Sequence, residues 1–180
     1  LESIGMEINS DDKRINTLLE IVKEKEFQGY SYDGAGASFE ILAKNVLDQV
    51  PSFFSVESYE VTIAGSKDDR SLSKANISIN VDDRIIKSVG EGNGPVNALD
   101  NALRKDLGIY NEYIQDLILV DYKVRILDGG TEAITRVVIE SSDSKNQSWF
   151  TVGISPNIIE ASFEALMDSI NYKLIKSNIK

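Results

Sequence analysis

One pattern, a strand followed by a glycine-containing bend and then a helix, occurs twice in this chain of 180 residues. The first copy covers residues 90–103 (GEGNGPVNALDNAL) and the second covers residues 152–166 (VGISPNIIEASFEAL). At a shift of 63 positions Gly90 falls on Gly153 and Ala98 falls on Ala161. Glycine allows a tight turn and a close approach to neighbouring backbone. A repeat of this length therefore predicts one supersecondary unit that is used twice.

Alternating apolar residues upstream of each bend predict three strands per copy. The same shift aligns the apolar members of the first strands, namely Tyr59 with Tyr122, Val61 with Val124 and Ile63 with Ile126. A shift of 60 aligns Ile77 with Val137, so the second copy needs a longer loop near residues 142–147. The predicted fold class is α+β, with two pseudo-symmetric βββα units over residues 53–108 and 114–178.

Turn residues place the ends of the predicted elements. Asp82 and Asp83 lie between two alternating segments and predict a tight hairpin turn, and Gly108 suits the residue after a helix. The predicted strands are 54–64, 75–81, 84–90, 117–127, 134–140 and 148–154, and the helices that follow them are 95–107 and 157–176.

The first 50 residues have no counterpart in the repeat. Asp11 or Asp12 is placed to cap a helix that runs to about residue 25. A second helix is predicted over about residues 37–49 and is stopped by Pro51. We therefore predict a small helical linker subdomain over residues 1–50, followed by a domain over residues 51–180.

Composition excludes several function classes. The net charge is −10 and the isoelectric point is about 4.5, whereas nucleic-acid binding needs clustered Lys and Arg. The chain contains no Cys and no His, which removes disulfides, thiol chemistry and the commonest general base and zinc ligand. No apolar run reaches the ~18 residues of a membrane span and no signal peptide is visible. We expect no nucleic-acid or membrane partner and a cytoplasmic location.

The first bend has the strand–loop–helix context of a phosphate site. However, no Gly-Lys-Ser/Thr follows it, and the third glycine of a dinucleotide fingerprint would fall at Pro95. Two interpretations remain open for the bends. They are either tight crossovers that need no ligand, or they hold a small carboxylate at the helix starts near Gly94 and Asn157.

The sequence predicts no catalytic residue and no metal site. The acidic residues that could be mistaken for metal ligands lie in predicted hairpin loops, where Asp stabilises turns: Asp68, Asp69, Asp82, Asp83 and Asp143. Ser155 is outside any Gly-x-Ser-x-Gly elbow and has no His to activate it, so we interpret it as a helix-capping residue. Tyr59 and Tyr122 are core or interface aromatics, or Tyr122 forms the wall of a pocket near Gly92.

Several short segments, in their order and spacing, resemble the C-terminal regulatory domain of the 2-isopropylmalate synthase and citramalate synthase family. They are residues 92–99 (GNGPVNAL), 119–122 (LVDY) and 153–158 (GISPNI). Residues 27–42 resemble the linker subdomain that precedes that domain. Residues 128–137, 149–153 and 157–162 are more similar to citramalate synthases than to 2-isopropylmalate synthases.

This resemblance implies feedback control. Enzymes of the family condense acetyl-CoA with a 2-oxo acid on a (β/α)₈ barrel that holds a divalent metal, and that barrel has no counterpart here. We therefore expect no catalytic centre and no cofactor within this chain. The implied effector is isoleucine for a citramalate synthase or leucine for a 2-isopropylmalate synthase, bound at a homodimer interface and sensed through the linker helices.

The implied effector site combines both bends with the strand that precedes the second sheet. Helix starts offer N–H donors for a carboxylate, and apolar side chains suit a branched aliphatic group. Carried over by motif, the site residues are Gly92, Asn93, Gly94, Val96, Asn97, Leu119, Tyr122, Ile126, Ile154, Pro156 and Ile158. Two alternatives are a dimerisation module that binds no amino acid and a free-standing enzyme that uses only carboxylates and tyrosines.

Overall fold

The computed structural model describes residues 12–47, 50–65, 72–127, 133–177 and 179. The helices are Lys13–Phe27 (α1), Gly36–Val46 (α2), Pro95–Lys105 (α3) and Ile158–Lys176 (α4), with a 3₁₀ turn at Gly108–Tyr113. The strands are Ser55–Ala64 (β1), Leu72–Val81 (β2), Arg84–Gly92 (β3), Ile118–Ile126 (β4), Thr135–Ser142 (β5) and Ser148–Ser155 (β6). They form two antiparallel sheets, ordered β1-β2-β3 and β4-β5-β6, each followed by a helix. The predicted α+β class with two βββα units is confirmed.

The chain divides into two compact units. The β1–β3 unit contains Ser52–Leu117 with Lys173–Lys180, and the β4–β6 unit contains Leu1–Pro51 with Ile118–Tyr172. The linker helices α1 and α2 thus belong to the same unit as the second sheet. The sequence-based boundary after residue 50 stays a prediction.

The first linker helix begins as its sequence indicates. The Asp12 carboxylate accepts a hydrogen bond of 2.9 Å from the Arg14 backbone N–H, which satisfies one free donor of the first turn. Capping at Asp12 is therefore confirmed, while Asp11 lies outside the described residues. Leu18 is buried in a small cluster with Ala43 and Leu47, which packs α1 on α2.

In the β1–β3 unit, the predicted hairpin turn is confirmed. Asp82 and Asp83 both have positive φ, 49° and 61°, as a two-residue type I′ turn requires. Both strands beside this turn are longer than predicted, because β2 begins at Leu72 and the pairing continues to Ser73 opposite Gly92. Gly92 therefore ends β3 instead of lying in the bend.

The second sheet repeats the first, including an irregularity in the pairing of its first strand. The pairing register shifts between Val56 and Ser58 in β1 and between Leu119 and Asp121 in β4, which are equivalent positions at the shift of 63. The predicted turn at residues 128–130 lies outside the described residues. In the loop after β5, the Asp143 carboxylate accepts bonds from the backbone N–H groups of residues 145 and 147, so its predicted role in a turn is confirmed.

The helix that follows each sheet crosses a glycine of that sheet so closely that the backbones of helix and strand are in contact. A Cβ added at Gly90 would lie within 3.0 Å of backbone atoms of Ala98 and Ala102 in α3. A Cβ added at Gly153 would meet the backbone of Ala161 equally closely in α4. Small residues on both sides therefore allow the helix and the strand to touch through their main chains.

Helix α2 covers β6, the edge strand of the second sheet. Two outward-facing N–H groups of β6 bind side chains: Val152 N–H donates to Ser38 Oγ at 3.0 Å, and Ile154 N–H donates to Glu164 Oε2 at 2.9 Å. Unpaired edge groups invite pairing with other chains. Here they join the linker and α4 to the sheet.

Asp168 extends this arrangement, since Ser38 Oγ donates to its Oδ2 at 2.6 Å. Burial raises the pKa of the Asp168 carboxyl to about 7, and the nearby Glu164 carboxylate raises it further. The Ser38 bond and the Lys25 ammonium act in the opposite direction. Close to neutral pH, this carboxyl group is thus divided between its two protonation states.

We expect Gly153→Ala and Gly90→Ala to destabilise the fold by about 1–3 kcal/mol, because the added methyl group must displace the backbone of a helix. Urea denaturation followed by circular dichroism measures the change. Gly36→Ala is the matched control, since nothing lies within 4 Å of a Cβ at that glycine. Equal urea midpoints for Gly153→Ala and Gly36→Ala would contradict the close packing.

We expect Asp168→Asn to stabilise the protein at pH 8 and to leave stability unchanged at pH 4. The folded state raises the pKa of this acid from 3.8 to about 7, so the folded protein binds the proton more tightly than the unfolded chain. Loss of this proton therefore lowers the free energy of unfolding as the pH rises from about 4 to about 7. The gain at pH 8 should reach about 1 kcal/mol or more.

Chemical denaturation at both pH values tests the prediction. Asp33→Asn, which neutralises an exposed carboxylate of the same unit, is the control and should have little effect at either pH. A gain for Asp168→Asn that is the same at pH 4 and pH 8 would show that the Asp168 proton is not its cause.

Candidate functional site

The first bend leads into a helix start that carries no side-chain cap. Gly94 is the N-cap residue of α3 and Pro95 is its first helical residue, and among the described residues no side chain bonds to this cap. The first helical bond, from Ala98 N–H to the Gly94 carbonyl oxygen, is 3.0 Å long. The N–H groups of Val96 and Asn97 precede this bond and point out of the helix start. This is the local geometry that binds anions.

The other predicted residues of the first bend frame this helix start. Asn93 and Asn97 are exposed and Val96 is half-buried. Gly92 has no room for a side chain, because a Cβ there would lie within 3.0 Å of the Asn97 amide group and of the Ala98 nitrogen. The end of β3 is thus in contact with the first turn of α3.

The second bend differs, since its helix start is capped by its own sequence. Asn157 Oδ1 accepts the Ile159 N–H at 2.9 Å. Ser155 Oγ accepts the Asn157 N–H at 3.0 Å and donates to Glu160 Oε2 at 2.8 Å. The prediction of Ser155 as the cap was therefore wrong by two residues: Asn157 is the cap and Ser155 supports it.

Apolar side chains remain uncovered around the start of α4 and on the same face of β4. Ile126 is 63% exposed and Ile158 is 43% exposed. Val124, which lies between Tyr122 and Ile126 on this face, is 42% exposed. The other two predicted residues of this region are Leu119, which is half-buried, and Pro156, which is exposed. A second surface is needed to remove these groups from water.

Tyr122 lies between β4 and the first turns of α4. Ser162 Oγ donates to the Ile158 carbonyl oxygen at 2.6 Å, so its single proton is used there. The Tyr122 hydroxyl is then the donor in its 2.7 Å bond to Ser162 Oγ. This chain of two bonds fixes the half-buried Tyr122 ring against the helix that begins with Ile158.

Ile154 does not join the other apolar residues of its unit. Successive strand residues alternate between faces, and the register places Gly153, but not Ile154, on the α4 side with Tyr122. Ile154 lies on the opposite face, where a Cβ at Gly29 of the linker would be 3.7 Å from its Cδ1. The structure thus separates Ile154 from Tyr122 and Ile126.

Glu164 connects this strand to the linker. Its Oε2 accepts the Ile154 N–H and its Oε1 accepts the Tyr30 hydroxyl at 2.5 Å. Burial, and then the bond to Glu164, raise the pKa of the Tyr30 phenol, which keeps it protonated as a donor. Gly29 is the residue before Tyr30, and its carbonyl oxygen accepts a hydrogen bond of 2.8 Å from Nε of the Arg136 guanidinium. The Gly29–Tyr30 segment is thereby held to both β5 and α4.

A half-open cavity of about 220 Å³ lies beside this connection. Its polar walls include the phenols of Tyr30 and Tyr32 and the carboxylates of Glu164 and Asp168, and Lys25 Nζ lies 4.1 Å from the centre of the Tyr30 ring. The remaining lining residues are Ser38, Ile41, Leu42, Asn45 and Val152. Sequence reasoning missed this cluster, because Glu164 and Asp168 have the spacing of ordinary exposed charges on an amphipathic helix.

The predicted effector residues are divided between the two units. Those of the first bend belong to the β1–β3 unit, and the others belong to the β4–β6 unit. That these residues together form a single effector site stays a prediction. None of the described helices is long and apolar enough to cross a membrane.

Comparison with known proteins gives a family match and several relatives. The family described as the LeuA allosteric (dimerisation) domain matches residues 33–174. The chain is 45% identical over 179 residues to the (R)-citramalate synthase of Geobacter sulfurreducens and 42% identical over 179 residues to that of Aquifex aeolicus. Each of these alignments covers 98% of this chain and 34% of the relative. The chain thus spans about a third of the length of these curated relatives.

A more distant relative comes from the other branch of the predicted family. The 2-isopropylmalate synthase of Ruminiclostridium cellulolyticum is 31% identical over 122 residues, which covers 68% of this chain and 22% of that protein. The resemblance predicted from short motifs is confirmed, including its preference for citramalate synthases. The chain belongs to the LeuA allosteric (dimerisation) domain family.

Proposed function

We propose that this chain is the feedback-regulatory region of a citramalate synthase and that it binds isoleucine. The condensation of acetyl-CoA with pyruvate would take place in a part of the enzyme outside this chain. The similarity to (R)-citramalate synthases supports the assignment to that enzyme. The uncapped start of α3 after the glycine bend is the observation that carries the binding function.

A free amino acid brings a carboxylate, which needs hydrogen-bond donors. Both helix starts were candidates in the sequence, but the start of α4 already binds Asn157 and Ser155. The start of α3 has a glycine at its cap position and N–H groups that no described side chain accepts. We therefore assign the carboxylate to α3, where the helix dipole also favours a negative charge.

The side chain of isoleucine needs an apolar wall. Ile126 and Ile158 are large apolar residues that the β4–β6 unit leaves exposed on the α4 side, the face that also carries the fixed ring of Tyr122. Burial of such groups against a branched aliphatic side chain is favourable by about 25 cal/mol per Å². Ile154 lies on the other face of the sheet, so we do not assign it to this wall.

The same exposed faces favour a homodimer. Besides Val124 and Ile126 on β4, the β1–β3 unit leaves Ile63 58% exposed on the α3 side of β1. Contacts in a two-fold dimer are isologous, so each exposed face would meet its equivalent or a complementary face of the partner. Membership of a dimerisation-domain family agrees with this assembly.

We expect isothermal titration calorimetry on this chain to show isoleucine binding with at least roughly tenfold higher affinity than leucine. The two differ in the position of one methyl group, which is worth about 1–3 kcal/mol in a shaped apolar pocket. Light scattering should give twice the 19.9 kDa mass of one chain. Tighter leucine binding would assign the chain to 2-isopropylmalate synthase, and a dimer that binds neither would be a ligand-free dimerisation module.

We expect Ile126→Ala to lower isoleucine affinity by roughly tenfold or more, because the variant removes apolar surface from the proposed wall. Ile118→Ala is the matched control. Ile118 lies on the same strand and is similarly exposed, at 57%, but it faces away from α4. Equal affinities for the two variants, with the dimer intact in both, would remove Ile126 from the site.

A further inference from the structure

We infer that Glu164 is the positioning residue that transmits isoleucine binding to the linker helices, an inference that rests on the proposed function. Its two carboxylate oxygens bind two different parts of the β4–β6 unit. One accepts the Ile154 N–H, at the end of the strand that leads into the second bend. The other accepts the Tyr30 hydroxyl, which belongs to the segment between α1 and α2.

The first bond ties the shape of the second bend to Glu164. Residues 155–157 connect Ile154 to α4, and Glu164 lies two turns into that same helix. The bond from Ile154 N–H to Glu164 therefore closes a loop that contains the start of α4 and the exposed Ile158. A ligand that packs on Ile158 or displaces this bend would change the distance between Ile154 and Glu164.

The second bond carries such a change to the linker. Tyr30 stacks on Tyr32, with ring centres 6.0 Å apart, and Tyr32 contacts Phe39 of α2 edge to face at 5.8 Å. A shift of the Tyr30 hydroxyl would therefore move the aromatic rings that contact α2. The cavity of about 220 Å³ beside these rings leaves room for that movement, which a fully packed site would resist.

Glu164 accepts two hydrogen bonds on two oxygens, whereas a glutamine of the same size offers one oxygen acceptor and one NH₂ donor. The Tyr30 hydroxyl can also accept a hydrogen bond from such an NH₂ group, so Glu164→Gln would be able to keep both contacts. Glu164→Leu, by contrast, removes both acceptor oxygens and breaks both bonds. Tyr30→Phe removes only the bond to the linker and leaves the bond to Ile154 N–H intact.

Tyr172→Phe is the matched control. The Tyr172 hydroxyl donates to Glu40 Oε2 at 3.1 Å, so it also joins a tyrosine to a carboxylate between α4 and the linker. That bond does not involve Ile154 or residues 155–157 of the second bend. The Tyr172 ring contacts β6 at its other end, at Trp149, with ring centres 5.7 Å apart. If general docking of the linker were sufficient, Tyr172→Phe and Tyr30→Phe would have equal effects.

The experiment measures hydrogen–deuterium exchange of the amides of residues 13–47, with and without isoleucine, next to calorimetry on the same samples. In the unmodified chain, isoleucine should change the exchange of these linker amides. Tyr30→Phe should bind isoleucine within about twofold of the unmodified chain yet lose more than half of that linker response. Glu164→Leu should lose the response as well, and Tyr172→Phe should keep it.

Separate results overturn the inference and the proposed function. Isoleucine binding with an unchanged linker response in Tyr30→Phe and Glu164→Leu overturns the role of Glu164 but leaves the sensor intact. An equal loss of the linker response in Tyr172→Phe also overturns the role of Glu164. So does a linker whose amide exchange is unchanged by isoleucine in the unmodified chain that binds it. If the unmodified chain binds no isoleucine, the proposed function fails and this inference fails with it.

Discussion

The contact of each helix with the glycine of its sheet is the constraint on which the rest of this structure depends. Because α3 crosses Gly90 and α4 crosses Gly153 at main-chain distance, neither helix can shift along its sheet without a clash. The start of each helix is therefore fixed a few residues beyond the end of the preceding strand. That placement determines where the bends, and with them the helix N–H groups, can meet a ligand.

The two copies of the unit have diverged in ways that suit different tasks. The start of α3 has a glycine cap and N–H groups that no described side chain accepts, whereas the start of α4 is closed by Asn157 and Ser155. The edge of the second sheet is bound by Ser38 of the linker and by Glu164 of α4. One copy is thus suited to bind a polar group and the other to hold the linker, while the shared fold keeps the same register and the same bulge.

The sequence was sufficient for the architecture and much less so for the contacts between elements. Alternation, the Asp82 and Asp83 turn and the repeated glycines gave the strands and helices, because each of these signals is local. Strands β2 and β3 were predicted too short, since the pairing of Ser73 with Gly92 depends on the partner strand. The position of Ile154 on the opposite face follows from the alternation of side chains along β6, which puts Ile154 out of phase with Gly153. The bonds of Ser38 and Tyr30 to α4 span more than 100 residues, and no local pattern reports them.

The contacts that hold the linker helices to the β4–β6 unit include a group that opposes docking, as we expect for an element that responds to a ligand. A docking surface built from apolar residues alone would be stable and difficult to shift, whereas this one holds a buried Asp168 whose pKa is raised to about 7. At neutral pH the folded protein must either hold this group charged in a poor environment or bind a proton, and both reduce the net stability of the docked linker. Elements that move on ligand binding are generally drawn from the less stable parts of a fold. The linker interface therefore combines specific geometry, set by Ser38 and Glu164, with a buried acid that opposes docking, and we expect this combination to respond to a modest binding signal.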